Sequence, residues 1–137
     1  MKQKLLSLII PTYNMAALLP RCLDSLVDAK GATERLEVIV VNDGSKDDSL
    51  EIAEQWREQY PEVVRVIDKP NGNYGSTINA ALPVVQGLYV KVLDSDDWFD
   101  TEVLGSFLQH IANLVEATTL PDILHTPFTS IGLGGVK

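Results

Sequence analysis

Apolar residues fall in short runs, each broken by a single polar residue, separated by stretches in which they recur every three or four positions. Leu5 to Ile10 is the first run, Leu36 to Val41 the second, Val63 to Ile67 the third and Leu88 to Leu93 the fourth. Runs of this length, rich in Val, Ile and Leu, predict strands buried on both faces. The intervening stretches have helical spacing. Leu18, Cys22 and Leu26 follow Asn14, a candidate N-cap, and Pro20 falls early, where a missing amide is tolerated. Leu50, Ala53, Trp56 and Tyr60 form a second stripe, which Pro61 ends, with Asp47 and Asp48 at its electropositive start. Thr77 to Val85 predicts a short third helix. Asp100 or Thr101 caps a fourth, with a stripe of Val103 or Leu104, Phe107, Leu108, Ile111, Leu114 and Val115. Asp122 to Thr126 suits a fifth strand, whereas Gly132 to Lys137 predicts no element.

Alternating strands and helices imply an α/β fold: a Rossmann-like, mainly parallel sheet with helices on both faces. A chain of 137 residues without repeats or internal linkers reads as one domain over 1–137. Ligands of such sheets bind beyond the carboxyl ends of the strands. The least ordinary residues fall there: Pro11 to Asn14, Asn42 to Ser45, Lys69 to Ser76 and Asp94 to Trp98, one loop after each strand.

The net charge of −8 argues against a nucleic-acid partner, which favours basic patches. The single cysteine, Cys22, cannot form an internal disulfide, which fits a reducing, cytoplasmic setting. Its place on an apolar stripe makes it a core residue. The opening Met1 to Ile10 superficially looks like a signal peptide, but the apolar stretch is short and Pro11-Thr12-Tyr13-Asn14 replaces any cleavage site. No run approaches the ~20 apolar residues of a membrane helix. His110 and His125 belong to no motif and read as structural.

The fourth loop is the most chemical. Three carboxylates, Asp94, Asp96 and Asp97, occupy four positions directly after an apolar strand. Their mutual repulsion is relieved by a cation, and hard cations such as Mg²⁺ and Mn²⁺ take carboxylate oxygens together with substrate phosphates. Helix capping needs one carboxylate, not three.

Taken together, the four loops resemble those of the family 2 glycosyltransferases, which have the GT-A fold. The matching pieces are Ser7 to Asn14, Val38 to Asp47, Asn71 to Asn79 and Gly87 to Asp97, in order, within roughly residues 5 to 115. The resemblance implies binding of a nucleotide-diphosphate sugar, most commonly a UDP-sugar, with Mg²⁺ or Mn²⁺. It implies that Pro11, Thr12 and Tyr13 form the base-binding loop and that Asp43 accepts from the base. Asn-Asp-Gly also suits a turn in its own right. Lys69 and the glycines Gly72 and Gly75 would lie against ribose and phosphates. Asp96 would contact the ribose and serve the metal with Asp97, and Asp94 would support them. Many family members carry an arginine in the third segment, where this chain has Gly75-Ser76-Thr77-Ile78-Asn79.

The family generally inverts the anomeric centre in one displacement, with a carboxylate base contributed by later segments. No such base is identified here, so the chain reads as the donor and metal half of a domain shortened at its C-terminus. The acceptor, a saccharide or a lipid-linked saccharide of polysaccharide synthesis, is left open, and membrane proximity would come only through it. An uncovered sheet edge would favour self-association. A nucleotidyltransferase would want a glycine- and arginine-rich first loop, and a dinucleotide-binding dehydrogenase a G-x-G-x-x-G; both are absent. A module that binds nucleotide without turnover, or an inert portion of such an enzyme, is the alternative.

Overall fold

The computed structural model describes residues 3–117, 121–122, 131–132 and 135–136. Four strands form one parallel sheet in the order β3-β2-β1-β4. They are β1 (Leu6–Thr12), β2 (Leu36–Asp43), β3 (Val64–Lys69) and β4 (Tyr89–Val92). The helices are α1 (Leu19–Val27), α2 (Ala32–Arg35), α3 (Ser49–Gln59), α4 (Tyr74–Ala81) and α5 (Thr101–Glu116). A 3-10 turn, Leu82–Val84, follows α4.

Side chains alternate across a strand, so the sheet presents two faces. Leu6, Leu8, Ile10, Val38 and Val40 point to one, where Leu19, Cys22, Leu23 and Leu26 of α1 and Leu104, Leu108 and Ile111 of α5 cover them. Ile52 and Trp56 of α3 join that layer. Ile9, Ile39 and Val41 point to the other, against Ala81 and Ile78 of α4. This second layer is thin. Leu82, Leu88 and Val90 on or beside it stay 40 % or more exposed.

Several boundaries differ from the periodicity. Asn14 does not cap α1: it has φ 52°, and its Oδ1 accepts from the Lys46 amide at 2.7 Å. The helix starts later, at Leu19, after Leu18, which makes no side-chain cap. Asn42 and Asp43 continue β2 instead of turning, because they pair with Asp68 and Lys69 of β3. The turn is made by Gly44 alone, at φ 71°. The third helix begins at Tyr74, three residues before Thr77, since Asn73 caps it by accepting from the Ser76 amide. Asp100 caps α5 as expected, accepting from Glu102 and Val103. Leu104 faces the core there, whereas Val103 is 58 % exposed and Val115 lies on the surface. Of the expected fifth strand only Asp122 is described, in a bend; residues 123–126, His125 included, lie outside the described residues. The tail pairs Ile131–Gly132 with Gly135–Val136, a short antiparallel ladder that the glycine-rich composition did not predict.

The chain leaves β1 toward β2 and β3 and then returns to place β4 on the opposite side of β1. The strand order thus reverses at β1, and a crevice opens beyond its carboxyl end. Pro11 contributes to that opening. The β1–β2 ladder runs on to Thr12↔Asn42, but the β1–β4 ladder ends at Ile9↔Val92. Ile9 accepts from Leu93 and so faces β4. Pro11, two residues on, faces the same way and has no amide to continue the pairing.

Candidate nucleotide site

A cleft of about 460 Å³ occupies this switch point. Pro11 and Thr12 line it from the end of β1 and Tyr13 from the loop after it, Asp43 from β2, Asn71 and Asn73 from the loop after β3, and Asp94, Ser95 and Asp96 from the loop after β4. Residues assigned to four separate loops are therefore brought to one cavity. Met15, Tyr74 and Thr77 also line it; Tyr74 and Thr77 fall within the third matching segment but had no role of their own in the sequence reading, and Met15 lies just past the first segment.

Asp43 is the anchor of one end. Its carboxylate is almost wholly buried and accepts three hydrogen bonds. Oδ1 receives Lys69 Nζ at 3.0 Å and the Gly72 amide at 2.9 Å, and Oδ2 receives the Asn73 amide at 3.2 Å. Burial by itself would raise this carboxyl. The Lys69 ammonium and the two amides outweigh it and hold the group below the usual carboxylate range. Asp43 is therefore an ionised acceptor with about one of its roughly four lone-pair positions still open.

Lys69 is placed differently from a free phosphate-binding cation. Its ammonium donates to Asp43, to the Pro70 carbonyl at 2.7 Å and to Ser76 Oγ at 2.9 Å. All three protons are engaged. Gly72 is where the loop needs a missing side chain, because a Cβ there would sit 2.9 Å from Ser76 Oγ and 3.0 Å from Lys69 Nζ. Gly75, in the first turn of α4, would meet nothing closer than Asn73 Oδ1 at 3.5 Å.

The base-side loop is tied to its neighbour by side chains. Ser45 Oγ accepts from the Asn14 amide at 3.0 Å, Ser49 Oγ from Met15 at 2.9 Å, and Asp47 Oδ2 from Ala16 at 3.0 Å. Asp47 Oδ1 accepts from Ser49 Oγ and its amide, and that hydroxyl, with the Ala16 amide, keeps Asp47 acidic. These bonds fix the loop that carries Tyr13, whose ring remains 42 % exposed toward the cleft.

The opposite end is acidic. Asp94, Asp96 and Asp97 each present an oxygen within 4.8 Å of the others. Among the described residues no lysine or arginine pairs with them. Burial, then Asp96 and Asp94, push the Asp97 carboxyl up. The same field reaches Cys22 in the core, whose thiol is pushed up to about 12 by burial first and by Asp97, Asp96 and Asp94 after it. A close set of three hard oxygen donors is the kind of ligand set that suits a divalent cation. Tyr74 reaches this end from α4 and donates its phenol to Asp94 Oδ1 at 3.1 Å. Beyond the cluster, Arg21 lies 4.5 Å from the ring centre of Trp98.

The chain matches the glycosyl transferase family 2 over residues 7–126. It is 41 % identical over 110 residues to the uncharacterized glycosyltransferase MG025 homolog of Mycoplasma pneumoniae, covering 79 % of this chain and 35 % of that one. It is 40 % identical over 101 residues to the poly(ribitol-phosphate) beta-glucosyltransferase of Bacillus spizizenii, covering 72 % of this chain and 16 % of the relative. Among solved structures, S. aureus TarS 1-349 in complex with UDP-GlcNAc has a TM-score of 0.69 and 31 % identity, over 85 % of this chain and 32 % of that one. The chain thus spans about a third or less of these relatives. With the fold, the four-loop cleft and the family match in agreement, the chain belongs to glycosyl transferase family 2.

Proposed function

We propose that this chain forms the donor side of a sugar transferase that uses a nucleotide-diphosphate sugar. The observation that carries the reading is that one cleft is lined by an ionised Asp43 at one end and by Asp94 and Asp96 at the other, with Asp97 clustered beside these two just outside the lining. The first suits a nucleobase and the second a cation with its diphosphate.

Asp43 can accept but not donate. Uracil, thymine and guanine each present a ring N–H at the edge that pairs with other bases, whereas adenine and cytosine present a lone pair there. The site therefore favours UDP, dTDP or GDP over ADP and CDP, with UDP preferred because Tyr13 and Pro11 offer a small apolar wall for a pyrimidine. The TarS neighbour with UDP-GlcNAc bound supports this choice.

Asp96 and Asp97 would hold Mg²⁺ or Mn²⁺, with Asp96 also reaching the ribose and Asp94 completing the set. A bound divalent cation offsets charge that builds on the departing diphosphate. The chain's own residues orient the donor: the Asn14 to Ala16 anchors keep the base loop in place, and Asp43 sets the base. Inversion at the anomeric carbon follows if an acceptor hydroxyl attacks from the face opposite the diphosphate, deprotonated by a carboxylate base. None of the described residues is assigned that role. We place the acceptor among saccharides or lipid-linked saccharides of polysaccharide synthesis, handled on the cytoplasmic side. No described helix is long and apolar enough to cross a membrane.

A second reading is that this stretch binds donor without turning it over, since none of the described carboxylates is assigned as the base. Calorimetric titration with UDP, GDP and dTDP, each with and without Mn²⁺, tests the common core of both. Cation-dependent binding of one of them, lost in Asp97→Ala, is expected. No binding of any by the folded chain would overturn the donor-site reading.

A further inference from the structure

The cleft offers little positive charge to a diphosphate. None of its lining residues is a lysine or an arginine. Lys69, the nearest candidate in the third loop, has its ammonium committed to Asp43, Pro70 and Ser76. Neutral donors must then meet the phosphate oxygens that a cation leaves open. Two of the candidates are wholly or partly committed: Thr77 donates its hydroxyl proton to the Tyr74 carbonyl at 2.5 Å, and Asn71 gives one of its two side-chain amide protons to the Asp43 carbonyl at 3.0 Å.

Tyr74 is different. It lines the cleft, is 53 % exposed, and rests its proton on Asp94, at the acidic end where a diphosphate would share the cation. Its entry into the cleft is also enforced. The preceding residue, Asn73, has φ 94° and ψ 173°, a region that side chains rarely adopt. Asn73 is held there by its amide on Asp43 and its side chain on the Ser76 amide. Holding a non-glycine residue in that conformation costs free energy, and the result is that α4 starts with its first side chain in the cleft.

We propose that Tyr74 is a diphosphate-binding residue of the donor site, its phenol moving from Asp94 to a phosphate oxygen when a nucleotide diphosphate enters with its cation. The assignment rests on the donor-site reading above. A carboxylate engaged by a cation is a weaker acceptor than a diphosphate oxygen beside it. The phenol thus exchanges one charged acceptor for another and is never left unpaired. Tyr74 then distinguishes a diphosphate from a bare nucleoside, which Tyr13 and Asp43 alone would not do.

The test compares wild type with Tyr74→Phe, which keeps the half-exposed ring and removes only the hydroxyl. UDP binding in Mn²⁺ is measured by calorimetry and uridine binding by NMR shift titration, with GDP and guanosine substituted if guanine is the preferred base. The variant should bind the diphosphate about tenfold more weakly or worse, the usual effect of losing a hydrogen bond to a charged group, with nucleoside affinity unchanged. Equal diphosphate affinity in the two proteins would overturn the assignment, as would a parallel loss for diphosphate and nucleoside. In either case wild type still binds UDP or GDP and the donor reading stands. A wild type that binds neither would overturn both.

Discussion

Asp43 and Lys69 are register partners on the last rung of the β2–β3 ladder, and their side chains meet at 3.0 Å with the Asp43 carboxylate almost out of solvent. The cation that looks available for ligand is therefore what helps keep the cleft carboxylate ionised. Lys69→Met should leave Asp43 buried without its counter-charge and lower stability by about 2–3 kcal/mol, short of a fully buried pair because Lys69 keeps some exposure. Urea denaturation checks the stability, and UDP affinity should fall with it.

The same pair sets an acid limit. The Asp43 carboxyl sits lower in the folded chain than in the unfolded one. Its stabilisation is complete above the unfolded value, about 3.9, and is lost as pH falls through the folded value. The stability difference between wild type and Asp43→Asn should therefore be largest near neutral pH and shrink below about pH 4. A difference that grew on acidification would contradict this account.

At the other end of the cleft the sign reverses. Asp97 is raised by burial and by Asp96 and Asp94, so its charged form opposes folding at neutral pH. Asp97→Asn should melt at a higher temperature than wild type in EDTA and at a lower one in the presence of Mn²⁺ and UDP. Thermal melts under both conditions check the crossover.

Ser49 is fully buried and serves two partners, accepting from Met15 and donating to Asp47. Ser49→Ala should cost about 1–2 kcal/mol. It should also loosen the Tyr13 loop, seen as faster amide exchange from Asn14 to Ala16, with the rest of the sheet unchanged.

Gly44 turns the chain out of β2 at φ 71°, and a Cβ there would lie 2.7 Å from the Asn71 amide nitrogen. Backbone cannot step aside as a side-chain tip can. Gly44→Ala should destabilise by about 2 kcal/mol or more, from conformation and overlap together. Loss of UDP binding should exceed the loss of stability, because Asn71 lines the cleft.

The alternating pattern was sufficient for the parallel α/β layout and for the rim as the place of interest, since both depend on local periodicity and on rules of sheet connection. The four loops were legible because strand ends are marked by abrupt changes in residue type. What escaped notice depends on partners far away in sequence. Asn42 and Asp43 have turn chemistry and become strand only because β3 pairs with them. Asp47 reads as a helix-start acid but reaches back to Ala16. Lys69 reads as a free cation until Asp43 and Ser76 are beside it. Tyr74 stood out only as part of the third loop, as no periodicity marks it as the first residue of a helix set by a strained Asn73.

The crevice owes its mouth to a hydrogen that is not there. Were Pro11 any other residue, β1 and β4 could zip one rung further and draw the acidic loop toward the base loop. The imino ring works as a wedge that needs no upkeep: the fork stands open in the empty protein, and no binding energy is diverted to prising two strands apart. A nucleotide arriving here would find the two strands already parted by the covalent chemistry of a proline.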